Sequence, residues 1–347
     1  MHSYVSVKIG SRTITASTDS DARSEVGDQI MSVRIRDASG KKATDTCEIT
    51  LNDADDQFVL PKRGEDIEVT LGRDDFEGAG VFVGSVDSVS SRSGRGSGQV
   101  LVVEAKSADM RGGLKTRKEK HLDDATFEEA ARAFAPEGIT VKVHPDLAQM
   151  RQDYWYLGRE NFMHWAQRTA DEFGATFKVM GAEAVFVPID AGQTVTGRPL
   201  ETITAKRGVN IINWDLSPDN GRPDRQEFEV TWYDAAEAKW KTQDGTIKAV
   251  GEGGAGTYRF SAADQDTAER MSRAMKKKAE RAKGGGTVTI DGNPAAQAEA
   301  ICFVEIRPGI SGTYQIVSVE HSWTRGSGFI TELELKRPQG KAGEDDR

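Results

Sequence analysis

The side chains in this sequence that could do chemistry are few in kind and scattered in position. Its histidines, His2, His121, His144, His164 and His321, form no His-Glu-x-x-His or other close ligand pair, so a zinc centre would have to be assembled from distant segments. The acidic run Asp53-Ala54-Asp55-Asp56 begins like a calcium loop. Such a loop needs Gly at its sixth place and Glu at its twelfth, and this chain has Phe58 and Gly64 there. A solvated turn is the expectation. Paired carboxylates at Asp74-Asp75, Asp123-Asp124 and Glu128-Glu129 could supply the acid and base of glycoside hydrolysis, but 55 acidic residues produce such neighbours without purpose. No Gly-x-Ser-x-Gly elbow presents a nucleophile. Gly94, Gly96 and Gly98 could cradle a phosphate only if a helix followed, and a strand resumes at Val100 instead. The expectation is no catalytic residue, no metal and no cofactor.

Two features point toward partners. Lys115, Arg117, Lys118 and Lys120 form the most pronounced local charge cluster; it reads either as a solvated loop or as a contact for an acidic neighbouring subunit or for DNA. Trp155, Trp240 and Trp323 are candidate exposed interface anchors, since buried aromatics dominate binding energy. Core packing is the expectation for Trp232.

The elements that must carry these residues follow from periodicity. Tyr154 to Pro188 reads as strand, helix and hairpin: Asn161 can cap a helix through Phe162, Trp165, Ala166, Thr169 and Phe173, with Gly174 as its left-handed end. Alternation then predicts strands about a turn at Gly181-Ala182. From Tyr4 to Ala105 short alternating strands follow one another, including Met31-Val33-Ile35 and Cys47-Ile49-Leu51, which suggests an antiparallel barrel or sandwich. Met110 to His121 lacks periodicity and reads as a loop, ahead of a capping box at Thr126 and Glu129 that opens a helix to Phe134. Beyond Glu201 strands return, interrupted by one helix capped at Ser261 and followed by Gly284-Gly285-Gly286. The expected organisation is a β-rich unit over 1–105, an α+β middle unit over 106–200, a second β-rich unit with one helix over 201–337, and a free tail over 338–347.

Bulk properties bound the function. At 347 residues the chain is long enough for two or three compact units. A composition of 37% hydrophobic and 29% charged residues with 36 Gly fits a turn-rich globular protein. The net charge of −9 argues against general nucleic-acid binding. Cys47 and Cys302 lie in apolar strand patterns and read as core thiols. No stretch approaches the roughly 20 apolar residues of a membrane span, and no leader segment is recognisable, so folding in the cytosol of the producing cell is expected.

Three stretches together carry a family resemblance. The aromatic helix ends in Glu172-Phe173-Gly174-Ala175 before its hairpin; GTVTIDGNP runs from Gly286 to Pro294; SGTYQIVSVEHSW, from Ser311 to Trp323, precedes GFITELELKRP, from Gly328 to Pro338. In this order they resemble the late-control protein D family, the hubs of contractile phage tails, to which the N-terminal hub region of the secretion spike protein VgrG is related. The resemblance implies a mainly β fold with two antiparallel tail-tube-like barrels flanking a helix-containing middle domain. It implies a structural, non-enzymatic homotrimer that joins the hexameric tail tube to a trimeric central spike. Baseplate wedge and tape-measure proteins would be further partners, and DNA would pass transiently through the lumen. The location would be the virion tail baseplate, after assembly in the bacterial host cytoplasm. Because the chain stops at Arg347, soon after the last family strand, the spike is expected to be a separate polypeptide. His321 matches the family's Val-x-His position, read as a structural residue at a strand end or, second, a partner contact. A phage-derived injection or secretion particle is the alternative setting; a tail-associated peptidoglycan hydrolase and a carbohydrate-binding β module are the competing classes.

Overall fold

The computed structural model describes residues 2–19, 29–38, 44–54, 56–74, 76–94, 98–108, 112–219, 227–234, 236–246, 255–257, 261–262 and 264–343. The chain is mainly β. Its first part supplies β1 (Ser3–Ile9), β2 (Arg12–Ser17), β3 (Ile30–Ala38), β4 (Thr46–Asn52), β5 (Asp66–Arg73), β6 (Phe76–Gly94) and β7 (Gly98–Lys106). Alternation puts Val5, Val7, Val33, Ile35, Ile49, Leu51, Ile67 and Val69 into one core. Met31 departs from the expected face and is 45% exposed. The β3–β4 register shifts between Ile30 and Ser32, so Met31 is the extra residue of a bulge and Ile30 takes the inward place.

The middle part holds a 3-10 turn (Gly112–Lys115), β8 (Arg117–Thr126), α1 (Phe127–Phe134), β9 (Thr140–Val143), α2 (Pro145–Ala148), β10 (Arg151–Asn161), α3 (Phe162–Phe173), β11 (Ala175–Met180) and β12 (Glu183–Pro188). Helix ends follow their signals. Thr126 and Glu129 close a reciprocal capping box, Asn161 accepts the His164 amide, and Gly174 ends α3 at φ +65°. Phe127 sits where the elements converge, with ring centroids at 4.9 Å to Phe186, 5.7 Å to Trp155, 5.8 Å to Phe173 and 6.2 Å to Trp165. Such aromatic packing is directional as well as apolar.

The last part supplies β13 (Ile203–Lys206), β14 (Ile211–Ser217), β15 (Glu227–Asp234), β16 (Lys239–Thr246), β17 (Ala255–Thr257), α4 (Gln265–Ala282), β18 (Gly285–Asp291), β19 (Ile301–Glu305), β20 (Gly312–Thr324) and β21 (Gly328–Gln339). Two expectations change here. The cap of α4 is Asp264, which accepts the Thr267 amide, rather than Ser261, because Ala262 is drawn into a bridge beside Trp232. Pro338 and Gln339 belong to β21, and Gly343 donates to the Gly309 carbonyl, so the stretch after Pro338 is tied down as far as Gly343; the remaining tail residues, and residues 258–260, whose alternation of Tyr258 and Phe260 predicts one of the returning strands, lie outside the described residues.

Among the described residues the first and last parts share one sheet of 13 strands, ordered β14-β18-β21-β20-β3-β4-β7-β6-β5-β1-β2, with β19 also on β20 and β13 on β19. The seam is the antiparallel pairing of β3 with β20, from Ser318 opposite Ala38 to Thr324 opposite Ser32. Bulges in β20 near Gln315 and Val317 let one strand serve β19 with its first half and β3 with its second. The first core is accordingly completed from the C-terminal end, by Trp323 and Phe329. Ser3 Oγ accepts from Trp323 Nε1 at 3.1 Å and from the Phe329 amide at 3.0 Å.

The middle part is pinned to this sheet by buried charge. Lys178 on β11 pairs with Asp37 on β3 and, at 2.9 Å, with Asp45 just before β4. Asp37 also accepts the Ala298 amide from the last part at 2.8 Å. One ammonium serves two carboxylates, so they diverge. Burial opposes ionisation of Asp37, yet Lys178 holds it below the usual carboxylate range. Burial, aided by the Asp37 charge, pushes Asp45 up to about 6. On the far side, Arg281 of α4 donates to Asp190 at 2.7 Å and to Glu299 at 2.7 Å.

Phe127→Ala should cost about 3–5 kcal/mol, the usual loss for a fully enclosed Phe, read as a fall in the denaturation midpoint; a loss under about 1 kcal/mol would show that the middle core is not organised around this ring. The folded chain protonates Asp45 near pH 6 while the unfolded chain waits until its ordinary value of 3.8, so this group's contribution to stability rises as pH falls from above 6 toward 4. Buried His321, pushed down to about 4, has the opposite sign over 6.5 to 4. Comparing wild type with Asp45→Asn isolates the aspartate. The variant should be more stable by roughly 2 kcal/mol at neutral pH, with the gap closing in acid; a gap independent of pH in urea titrations would refute the assignment.

Candidate functional site

Structure separates the sequence candidates into surface and interior. The basic stretch expected as a loop is the 3-10 turn followed by β8, which pairs antiparallel with β10 as a two-stranded ribbon. Its apolar alternation is weak because only Leu122 and Ala125 turn toward the core, while β10 contributes Trp155 and Leu157. Lys115, Arg117 and Lys118 are exposed. Lys120 is half-buried, and its ammonium donates to the Ala133 carbonyl of α1 at 2.5 Å; burial, and then the like charge of Lys118, hold it below the ordinary lysine range.

The outer face of the ribbon carries aromatic side chains that the sequence reading left unassigned. Tyr154 stacks with His121 and with Tyr156, ring centroids 6.0 Å apart in both cases. Glu119 accepts from Tyr156 Oη at 2.8 Å and Arg159 Nε at 3.0 Å, and these bonds hold it below the usual carboxylate range. Period-two spacing of Tyr154 and Tyr156 around Trp155 was the available signal. It could be read only once β10 was known to be half of a ribbon.

Trp155 and Trp323 correct the expectation of exposed anchors. Trp155 is 3% exposed and donates its indole N–H to the Ala125 carbonyl at 2.8 Å. Trp323 is fully enclosed. Both are large apolar groups whose polar handle finds an internal acceptor, which makes burial favourable. His321 lies within β20 rather than at its end, and it is buried; its ring nitrogens meet Thr331 Oγ1 at 3.1 Å and the Ala296 carbonyl at 3.3 Å. A direct partner contact by this imidazole is therefore not available in this arrangement.

Trp240 is 65% exposed. It faces Tyr233 across the β15–β16 hairpin in an edge-to-face contact at 5.4 Å. The turn beneath them is braced: Asp234 Oδ1 accepts the Ala236 and Glu237 amides, and Lys241 bonds Asp234 at 2.6 Å and Glu237 at 2.8 Å. Trp232, on the inner side, packs on the small cluster under α4, with the Lys241 ammonium 5.5 Å from its ring. A second exposed tryptophan carries no signal in the sequence. Trp214 lies on β14, the terminal strand of the sheet, with Arg207 over its ring at 5.6 Å and Ile212 exposed nearby.

Chemistry has little to work with in this arrangement. A cavity of about 360 Å³ opens between β6 and the β11–β12 hairpin, with Val81, Val185 and Leu200 as apolar walls. Its cation, Lys178, is already held by two aspartates. Among the described residues no three His, Cys, Asp or Glu side chains converge on a metal-sized space. Burial raises both cysteine thiols, Cys302 to about 12, so neither is a ready nucleophile. No helix among the described residues is long and apolar enough to cross a membrane.

No family model matches the chain. Two curated proteins do: the probable baseplate hub protein of Escherichia phage 186, 27% identical over 224 residues, and that of Escherichia phage P2, 27% identical over 221 residues. Each alignment covers 63% of this chain and 53% or 54% of the relative, so the chain spans about half the length of the curated relatives it matches. Solved structures extend the likeness to the whole fold. A tail protein from Neisseria meningitidis MC58 superposes with a TM-score of 0.66 at 16% identity, covering 96% of both chains. The 43 kDa tail protein of prophage MuSo2 from Shewanella oneidensis gives 0.66 at 15%, covering 97% of this chain and 98% of the other. The c3393 protein of E. coli, a type VI secretion component, gives 0.53 at 10%, covering 92% and 76%. The chain is thus a relative of the phage baseplate hub proteins in sequence, and its fold is one that phage tail proteins and a type VI secretion component share.

Proposed function

We propose that this chain is a structural baseplate hub protein of a contractile phage tail, a homotrimer that joins the hexameric tail tube to a trimeric central spike. The observation that carries the reading is the seam between β3 and β20, in a chain related to phage hub proteins. Joining two β-rich halves in one sheet lets each chain offer two tube-like units in a fixed relation, so three chains can present six to a tube above and threefold symmetry to a spike below. Each half acts as one barrel, and the middle part, roughly residues 106–200, meets the surrounding wedge proteins. The tape-measure protein and, transiently, DNA occupy the lumen. The chain acts without catalysis or cofactor, and its place is the virion tail after assembly in the host cytoplasm. Likeness to a type VI secretion component supports a second setting, the hub of a phage-derived secretion particle.

Trp240, with its braced Tyr233 neighbour, anchors one partner contact. A rigid, exposed aromatic pair loses little entropy when it is covered. The cations Lys115, Arg117, Lys118 and Lys120 form a second contact.

Light scattering on the full chain, alone and with the candidate spike, should give a trimer in at least one case; a monomer indifferent to the spike would sink the reading. Trp240→Ala should leave the unfolding free energy, from urea titration, within about 0.5 kcal/mol of wild type and, by light scattering, weaken assembly by about 2 kcal/mol or more. Unchanged assembly would remove Trp240 from the interface. Purified protein should also leave cell wall intact in a zymogram, whereas a clearing band would return the hydrolase class.

A further inference from the structure

The β8–β10 ribbon has an unfilled side. Among the described residues each of its strands pairs with the other and with nothing else, so β8 presents a row of backbone donors and acceptors without a ladder. The inner face is committed to the middle core through Leu122, Trp155 and Leu157.

Charge along that edge is unbalanced in a particular way. Arg117 and Lys118 are exposed and have no ion-pair partner among the described residues, although each has a polar residue opposite it in the ladder. Those opposite residues are spent elsewhere. Glu160, across from Lys118, is bound by His164 at 2.6 Å and Arg168 at 2.8 Å. Asn161, across from Arg117, caps α3 through the His164 amide at 2.9 Å. The neighbouring Lys120 has turned its ammonium to a carbonyl rather than a carboxylate. A cationic strand edge thus persists on a chain of net charge −9, and its complement is negative.

Two anionic macromolecules could supply that charge, and the outer face discriminates between them. The stacked rings of Tyr154, His121 and Tyr156 would suit bases, but exposed Asp123 and Glu119 flank them on β8. A phosphate backbone tracking the rings would be repelled, whereas a polypeptide can place acidic residues beside the cations and apolar or donor side chains beside the rings.

We infer that the free edge of β8 receives an acidic, extended segment of a partner protein, which adds as a third strand and sets its carboxylates against Arg117 and Lys118. The inference rests on the reading of this chain as an assembly protein. It identifies the mode of contact as strand addition, in which main-chain bonds hold the segment and side chains select it.

The test uses the full-length protein and a fluorescein-labelled peptide repeating Asp-Glu-Val-Thr, with labelled oligothymidylate as the nucleic-acid probe. Anisotropy should show the peptide binding in about 50 mM salt and weakening several-fold at about 500 mM, as exposed charge contacts do. The double variant Arg117→Ser, Lys118→Ser should lose roughly tenfold in affinity, equivalent to about 1.4 kcal/mol. Amide exchange on wild type should slow within β8 when the peptide is added, which charge attraction alone would not produce. Absence of peptide binding, peptide binding indifferent to the double variant, no added protection in β8, or tighter binding of oligothymidylate would each overturn the inference. None of these outcomes bears on the solution mass of the protein with its spike, so a failure of this contact is distinguishable from a failure of the hub reading.

Discussion

The pairing of β3 with β20 is the constraint on which the rest of the molecule depends. It brings residues 32–38 against residues 318–324, a contact across almost the whole chain whose loop-closure entropy is met only when both halves are formed. Its effect on the core is direct. Trp323 sits among the side chains of the N-terminal strands and Ser3 receives its indole proton, so the first half is not closed without the last two strands. The dependence runs one way: the first half borrows Trp323 and Phe329 for its core, whereas the last half packs Ile203, Val288, Tyr314 and Leu333 into a core of its own.

Charge is used differently inside and outside this frame. At the junction, Lys178, Asp37 and Asp45 bridge the middle part to β3 and β4, and the Arg281 cluster ties α4 to Asp190 and Glu299. Such pairs stabilise little compared with apolar packing, but removing the shared cation, Lys178 or Arg281, would strand its carboxylates in low dielectric. They therefore favour one docking of the middle part over sliding alternatives. The proposed hub role would call for such a single, stiff arrangement.

The two excursions from the main frame have the opposite character. The β8–β10 ribbon buries one face on the core of the middle part, the β15–β16 hairpin buries one on the small cluster under α4, and each leaves aromatic side chains on the other face. Internal bracing, through Glu119 in one and Asp234 in the other, holds those side chains ready. Rigid excursions on a rigid frame are a suitable way to meet several neighbours without disturbing the sheet.

What the sequence determined by itself was local: the capping box at Thr126, the Asn161-to-Gly174 helix, the Gly181 turn, the alternating strands and the order of motifs that pointed to the hub proteins. These signals are short-range, set by backbone geometry and period, and are complete within a dozen residues or so. Tertiary structure decided the rest. Trp155 and Trp323 look like Trp240 in sequence, yet two are enclosed and one is not, because exposure depends on which strand lies across from each. The basic stretch looked like a loop because a two-stranded ribbon buries little and leaves a weak period. Met31 fell on the wrong face through a bulge that pairing alone reveals. The seam could not be read at all: a strand edge is the same backbone whatever its side chains, and partner choice is made by the packing of distant segments.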